Sequence, residues 1–399
     1  MKHFGAEAGD EAVPWHAAAQ RVTQALAATA VERDQRGGVP KAERDLLRES
    51  GLLMLSVPAQ LGGLGASWRQ TLDVVRGFAR VDSAVAHVFA FHHLLLATTQ
   101  LFARPAQWQP WVEQTRTQRW FWGNALNPLD KGTRARSVGG EGGGHLFTGR
   151  KSFCSGAGDS DMLVASALDA DDRLLIGVVP TRREGIAVLG DWDNIGQRQT
   201  DSGSVLFDEV RVEAHELLRD PGPLSTPFAC LRPLLAQLIL ANIYQGLGEG
   251  ALAEAKAFTL QQARPWLASG ASAANEDPYV LAHYGDFWLA LEGARSLLDG
   301  AAAAFDQAWL RGDALDEHER GQVAVAVAAA KVASTRASLE VAHRMFEVTG
   351  ARATTAALRL DRYWRNLRVH TLHDPVDYKV RELGDWALNA RLPVPSFYS

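Results

Sequence analysis

From residue 15 to about 117, apolar residues recur at spacings of three and four, the period of an α-helix with one buried face. "WHAAAQRVTQALAATAVERDQRGG" opens the series and stops at Gly37-Gly38. Pro40 then introduces "KAERDLLRESGLL", a short amphipathic helix ended by Gly51, after which "VPAQLGGLGAS" breaks the period with a proline and three glycines. Helical texture resumes through "WRQTLDVVRGFARVDSAVAHVFAFHHLLLATTQLFA". Near residue 119 the pattern changes. "RWFWGNALNP", "ARSVGG", "HLFTGRKSFCSGAG", "DMLVASALD", "RLLIGVVP" and "GSVLFDEVRV" are short, rich in β-branched and aromatic residues, and separated by Gly, Asp or Pro. They predict strands with hairpin connections. From "LRPLLAQLILANIYQGLGEGALAEAKAFTLQQARPW" onward, long helical periods return. Asp277 and Pro278 are placed as cap and first residue of one helix, and Gly350 as the C-cap of another. A last helix is expected to hold residues 362–379.

The predicted order is helical, β, helical, in three units: an N-terminal helical domain over 1–118, a middle β domain over 119–225 and a C-terminal helical bundle over 226–399. The β unit shows no βαβ alternation, which argues against a doubly wound sheet. "GGEGGG" at 139–144 lies between two strand patterns and is expected to be a hairpin tip, with a phosphate loop as the alternative. A net charge of −5 argues against a broad nucleic-acid surface. Two cysteines, Cys154 and Cys230, are too few for a disulfide framework or a cysteine-based metal site. The N-terminal stretch has no apolar secretory core, and no run of about 18 apolar residues is found, so a soluble cytoplasmic protein is expected.

Candidate chemistry concentrates in "RYWRNLRVHTLHDPVDYK", where Arg362, Arg365 and Arg368 recur every third residue and His370 and His373 follow at the same spacing. Two histidines one helical turn apart suit a metal, but no further ligand motif stands nearby and none is assigned. A salt-bridged helix end and a reactive centre that uses histidine near neutral pH are the other two options. "HVFAFHHLLL" sets His87 four residues from Phe91, so both share a helix face, either as core or as site; His92 and His93 follow. "KSFCSGAG" ends a strand in small residues whose hydroxyl and backbone groups can approach a flat ligand edge, or simply make a turn. Arg264 in "QQARPW" and Arg352 in "TGARATTAAL" are each placed just at or after a helix end; arginine grips phosphate bidentately, though isolated arginines more often pair with surface carboxylates.

Helical, β, helical order with these motifs resembles the acyl-CoA dehydrogenase fold over residues 17 to 395. "FTGRKSFCSGAGDSDMLVASA" is similar to that family's strand and loop against the flavin ring. "DWDNIGQRQTDSGSVLFDEVRV" is similar to its second-strand region, and "YQGLGEGALAEAKAF" to the start of its long helix. Within the fold, "RYWRNLRVHTLHDPVDYK", "DWDNIGQRQTDSGSV", "ARPW" and "AHVFAFHH" most resemble the flavin-dependent monooxygenases, the branch of dibenzothiophene and sulfone monooxygenases and amine N-hydroxylases. The resemblance implies a mainly α fold with a central β-barrel or sandwich and a four-helix bundle. It also implies a homotetramer, and oxygenation of a small, organosulfur substrate by O₂ through a C4a-hydroperoxide of reduced FMN delivered by a separate reductase.

By the same resemblance, His87, Asn124, Ser155 and His373 act on the peroxide and flavin N5. Phe153 and Trp192 border the ring. Phe91, Trp122 and His92 line the substrate pocket, with Trp120 and Phe121 in the same dry wall. Arg264 and Arg352 take the phosphate, with one from a neighbouring subunit. Three alternatives stay open: an amine N-hydroxylase, a catalytically idle helical scaffold that inherited the fold and binds no flavin, and an FAD-dependent acyl-CoA dehydrogenase. For the last, no acid occurs between Asp220 and Glu249 to serve as one known base position, and Asp374 falls at the other. "ARPW" in place of the dehydrogenase R-x-Q-F-G segment favours the smaller flavin.

Overall fold

A computed structural model describes residues 15–139 and 143–399. Five helices come first: α1 (His16–Arg36), α2 (Lys41–Ser50), α3 (Trp68–Ala79), α4 (Ser83–Phe102) and α5 (Pro105–Gln118). Local chemistry sets their ends. Gly51, at φ 76°, closes α2 in the left-handed region that a side chain disfavours. Ser67 and Gln70 form a capping box on α3. The helical run expected from residue 68 onward is two helices rather than one. Asp82 accepts a hydrogen bond from the Val85 N–H and starts α4 afresh.

Every α4 residue except Gln100 is buried. By length and mean hydropathy α4 could cross a bilayer, though its histidines, threonines and glutamine interrupt any continuous apolar run, and 94% of its most apolar 18-residue window is buried inside the protein itself. It is a core rod between α3, α6 and the sheet. Its buried Phe and Leu side chains each contribute about 1.5–3 kcal/mol of transfer free energy.

The strands are β1 (Trp122–Ala125), β2 (Thr133–Val138), β3 (Gly144–Lys151), β4 (Met162–Leu168), β5 (Leu174–Pro180), β6 (Ile186–Val188) and β7 (Val205–Val212). They form one sheet in the order β1-β4-β2-β3-β7-β6, with β5 also on β4. Pairing is not hairpin-only, as the sequence suggested. β1 and β4 run parallel, from Trp122 opposite Met162 to Ala125 opposite Ala165, because the β2–β3 hairpin is inserted between them. The short strand β6 had no alternation to betray it. β2 and β3 pair to Val138 and Gly144; the tip itself, and with it the phosphate-loop alternative, falls at 140–142, outside the described residues.

The remaining helices are α6 (Leu231–Gln261), α7 (Pro278–Arg311), α8 (Glu317–Thr349), α9 (Asp361–His370) and α10 (Val376–Asn389). Asp277 caps α7 by accepting from the N–H groups of Tyr279 and Val280, with Pro278 first in the helix, and Gly350 closes α8. α6 is buried all round from Leu231 to Gly248 and packs against α3, α4, α7 and α8. The single last helix expected over 362–379 is instead two. Pro375 cannot donate within a helix and disfavours helical geometry at Asp374, so α9 stops at His370 and α10 starts beyond it. The arginine run ties α9 down. Arg365 reaches Asp34 of α1 at 2.7 Å, Asp361 at 2.6 Å and the Ile195 carbonyl at 2.7 Å. Arg362 lies over the Tyr363 ring and pairs with Glu254.

Candidate active site

A cavity of about 510 Å³ opens where α4, the turn after β3, the loop before β7, the start of α6, α9 and the Phe397–Tyr398 segment meet. His87 and Phe91 reach it from one face of α4, their rings 4.0 Å apart. Asn124 comes from β1, and Phe153 and Ser155 from the turn after β3, where Phe153 is held at φ 55°. Trp192 and Gln197 come from the loop before β7. That loop lies hard against α9: a Cβ on Gly196 would sit 2.3 Å from the Arg365 carbonyl oxygen, so only glycine fits.

Two imidazoles meet at the inner wall. His370 Nε2 and His87 Nδ1 are 3.0 Å apart, and both rings are buried. The proton positions follow from the neighbours. The Gln197 side-chain amide N–H₂ faces the Ser83 hydroxyl at 3.1 Å, the Asn366 carbonyl at 3.4 Å and His370 Nδ1 at 3.4 Å. An amide nitrogen can only donate. With the amide so oriented, His370 Nδ1 is best matched as an acceptor, which directs its Nε2 proton at His87 Nδ1 and places the His87 proton on Nε2. That atom is buried and has no partner among the described residues. Burial pushes the His87 imidazolium down to about 3, with the charge of His373 adding to the effect, and holds His370 well below its ordinary range. Both rings are neutral at physiological pH, and His87 presents a fixed N–H donor.

Opposite runs a chain of hydroxyls. Thr200 donates to the Gln197 carbonyl at 3.0 Å, Ser202 to Thr200 at 2.7 Å, and hence Ser155 to Ser202 at 2.7 Å. Ser155 is left an acceptor at the cavity wall. Asn124 Oδ1 accepts from the Leu126 N–H at 3.2 Å, which leaves its amide N–H₂ as a second donor.

The rim holds a different arrangement. His373 Nδ1 lies 2.9 Å from Asp374 Oδ1, and the same oxygen takes a hydrogen bond from the buried Lys331 ammonium, which also donates to Gln237. Hydrogen bonds from His373 and the positive charge of Lys331 outweigh burial and hold the Asp374 carboxyl far below its ordinary range. Burial drives Lys331 down to about 8. A carboxylate so stabilised is too weak a base to abstract a carbon-bound proton, which removes the Asp374 role on which the dehydrogenase alternative depended.

Of the residues singled out from sequence, His87, Phe91, Asn124, Phe153, Ser155, Trp192 and His373 line the cavity. Trp122 and His92 do not. The Trp122 indole is buried under α5 and donates to Thr115 at 2.9 Å. His92 Nε2 lies 2.8 Å from the Leu53 carbonyl and its Nδ1 accepts from the Trp122 N–H at 3.2 Å, a core role. Phe121 is buried beside Arg44 and Arg48, and Trp120 is also off the cavity. Arg264 follows the end of α6 rather than ending it. Arg264 and Arg352 are both exposed and outside the cavity of the single chain. His370, Gln197 and Arg232 were not assigned as site residues: His370 was weighed with His373 as a metal pair, a salt-bridged helix end or a reactive centre, and it lines the cavity beside His87.

Family models for the acyl-CoA dehydrogenase N-terminal domain and C-terminal domain match residues 14–118 and 238–378. The "Probable FMNH2-dependent monooxygenase SfnC" of Pseudomonas putida is 60% identical over 388 residues, 97% of this chain and 98% of that protein. The structure of methanesulfinate monooxygenase MsuC from Pseudomonas fluorescens superposes with a TM-score of 0.95 at 61% identity, covering 97% of this chain and 99% of MsuC. FMN-bound TdsC, a dibenzothiophene monooxygenase from Paenibacillus sp. A11-2, superposes with a TM-score of 0.91 at 39% identity, covering 96% and 99%. The chain belongs to the acyl-CoA dehydrogenase family, in its FMNH2-dependent monooxygenase branch.

Proposed function

We propose that this protein is the oxygenating member of a two-component system: it takes reduced FMN from a separate flavin reductase and uses O₂ to oxygenate a small organosulfur compound. Reduced FMN bound in the cavity would supply the electrons and the place where O₂ is activated. The observation that carries the proposal is the buried Nε2 of His87, unpartnered among the described residues, on the wall of an aromatic-lined cavity. Such chemistry needs a donor aligned before oxygen arrives, because a preorganised dipole costs no rearrangement during reaction. It also needs water kept out, since water diverts the oxygen to H₂O₂.

The residues fit a flavin on these terms. His87 and Asn124 offer donors and Ser155 an acceptor, matching a ring with both kinds of edge group. Phe153 and Trp192, 6.0 Å apart edge to face, cover the mouth. Phe91 bounds the substrate end. His373, backed by Asp374, is the residue suited to pass a proton at the rim. Arg264 and Arg352 pair with no carboxylate among the described residues, so both are free to take the phosphate of FMN held against a neighbouring chain. Exposed Leu281, Trp288 and Leu289 on α7 favour self-association, here taken as a homotetramer. The organosulfur class is drawn from MsuC and TdsC, and a cytoplasmic location belongs to the same proposal.

The test is anaerobic titration with FMNH₂, then an oxygen pulse with the sulfur compound present. Oxygenated product should appear in proportion to flavin oxidised, with little H₂O₂. Failure to bind FMNH₂, or tight retention of FAD that an acyl-CoA bleaches anaerobically, would overturn the proposal.

A further inference from the structure

The cavity wall carries a buried cation that no carboxylate among the described residues answers. Arg232, the second residue of α6, is only 6% exposed. Its Nε donates to the Thr98 hydroxyl at 3.3 Å, while that hydroxyl donates to the Leu94 carbonyl at 2.7 Å. No carboxylate pairs with the guanidinium among the described residues, and both terminal nitrogens are without a hydrogen-bond partner. Other buried arginines have closer partners: Arg33 pairs with Asp82 and Glu43 and Arg44 with Asp201, while Arg320, also without a carboxylate, donates to the Cys230 and Pro393 carbonyls. Asp374, next in sequence to the lining residue His373, is already engaged by Lys331 and His373. Burial lowers the Arg232 guanidinium only to about 10, so it stays cationic in neutral solution.

A desolvated cation facing a cavity is an unfilled half of an ion pair. Guanidinium offers two parallel N–H donors that match two oxygens on one atom. Leu94 and Phe91, on the α4 face that also carries Thr98 and His87, give the space beside it an apolar side. We propose that Arg232 is the specificity-determining anchor for an anionic substrate, an alkanesulfinate, whose two oxygens it binds bidentately. The choice of a sulfinate among small oxyanions rests on the monooxygenase function proposed above. Its sulfur keeps a lone pair while its oxygens are held, so it can face the ring slot and accept an oxygen atom. A neutral thioether or thiophene of the same size would leave the cation buried and unpaired.

The test is equilibrium binding by calorimetry to the protein loaded with oxidised FMN, with sodium methanesulfinate and neutral dimethyl sulfoxide as probes. The wild type should bind the sulfinate about 100-fold more tightly than the sulfoxide, the scale of a desolvated charge pair. Arg232→Met should abolish that preference and leave the sulfoxide affinity unchanged, while Arg232→Lys should restore part of it. Under turnover, Arg232→Met should raise the KM for sulfinate with a smaller change in kcat. Equal affinity of the wild type for the two probes overturns the proposal even if the variant fails to fold; so does a folded Arg232→Met that keeps the preference. Sulfinate binding that depends on Arg232, in a protein that oxygenates no sulfur compound with FMNH₂ and O₂, would leave the anion site standing and remove the monooxygenase proposal.

Discussion

Two histidine arrangements face one cavity and differ in whether an anion stands behind the ring. The inner pair, His87 and His370, is enclosed by apolar side chains and neutral amides, so burial keeps both rings uncharged and the neighbours decide where the protons sit. The outer ring, His373, leans on a carboxylate that Lys331 holds ionised. Neutral enclosure makes a fixed donor; at the rim the ring is paired with a carboxylate instead. The same residue type thus meets two environments around one cavity.

The sharpest way to break this comparison is to remove the inner pair. His370→Ala should cut oxygenated product by about 10²–10⁴-fold, the span of a positioned proton donor, with H₂O₂ rising in its place, measured in one oxygen-pulse assay. Loss of flavin binding instead would make His370 structural. His373→Ala should cut product less, by about 10–100-fold, and should also leave FMN affinity nearly intact. Asp374→Asn would strand Lys331 as a buried cation and should cost about 3–5 kcal/mol in urea unfolding. Adding Lys331→Met should recover most of that; no recovery would mean the two are not a pair.

Acid should single out the enclosed rings. His87 and His92 have folded-state values of about 3 and about 4, below the ordinary 6.5. Between those values the unfolded chain binds more protons, so stability is fully present above pH 6.5 and is lost as pH falls toward 4. Each such ring contributes up to about 1.4 kcal/mol per pH unit. Thermal melts from pH 7 to 4.5 should show this slope, and His92→Gln should flatten it. Smallest of all, Trp122→Phe should cost about 1 kcal/mol for the Thr115 hydrogen bond and leave the KM for substrate unchanged, since the indole does not reach the cavity.

Much of the fold was legible because its signals are local. The caps at Asp277 and Gly350 and the four-residue step from His87 to Phe91 need only neighbouring residues to act. The same logic, applied further, would have excluded His92: five residues past His87 it points well away around a helix. Trp122 shares a strand face with Asn124, yet α5 covers one and the cavity receives the other, a difference set by tertiary packing. The parallel β1–β4 pairing, the join of His87 to His370 and the isolation of Arg232 are all long-range, and no spacing along the chain encodes them.

His87 and His370 are 283 residues apart. A chain emerging from the ribosome can fold α4 and the sheet long before α9 exists, and contacts of such separation close late. Until then the half-built slot is open to solvent and lacks the partner that sets its donor. Competence for a reaction that could otherwise release peroxide should therefore wait on α9, and ribosome-arrested chains that end before residue 361 should show no oxygenase activity.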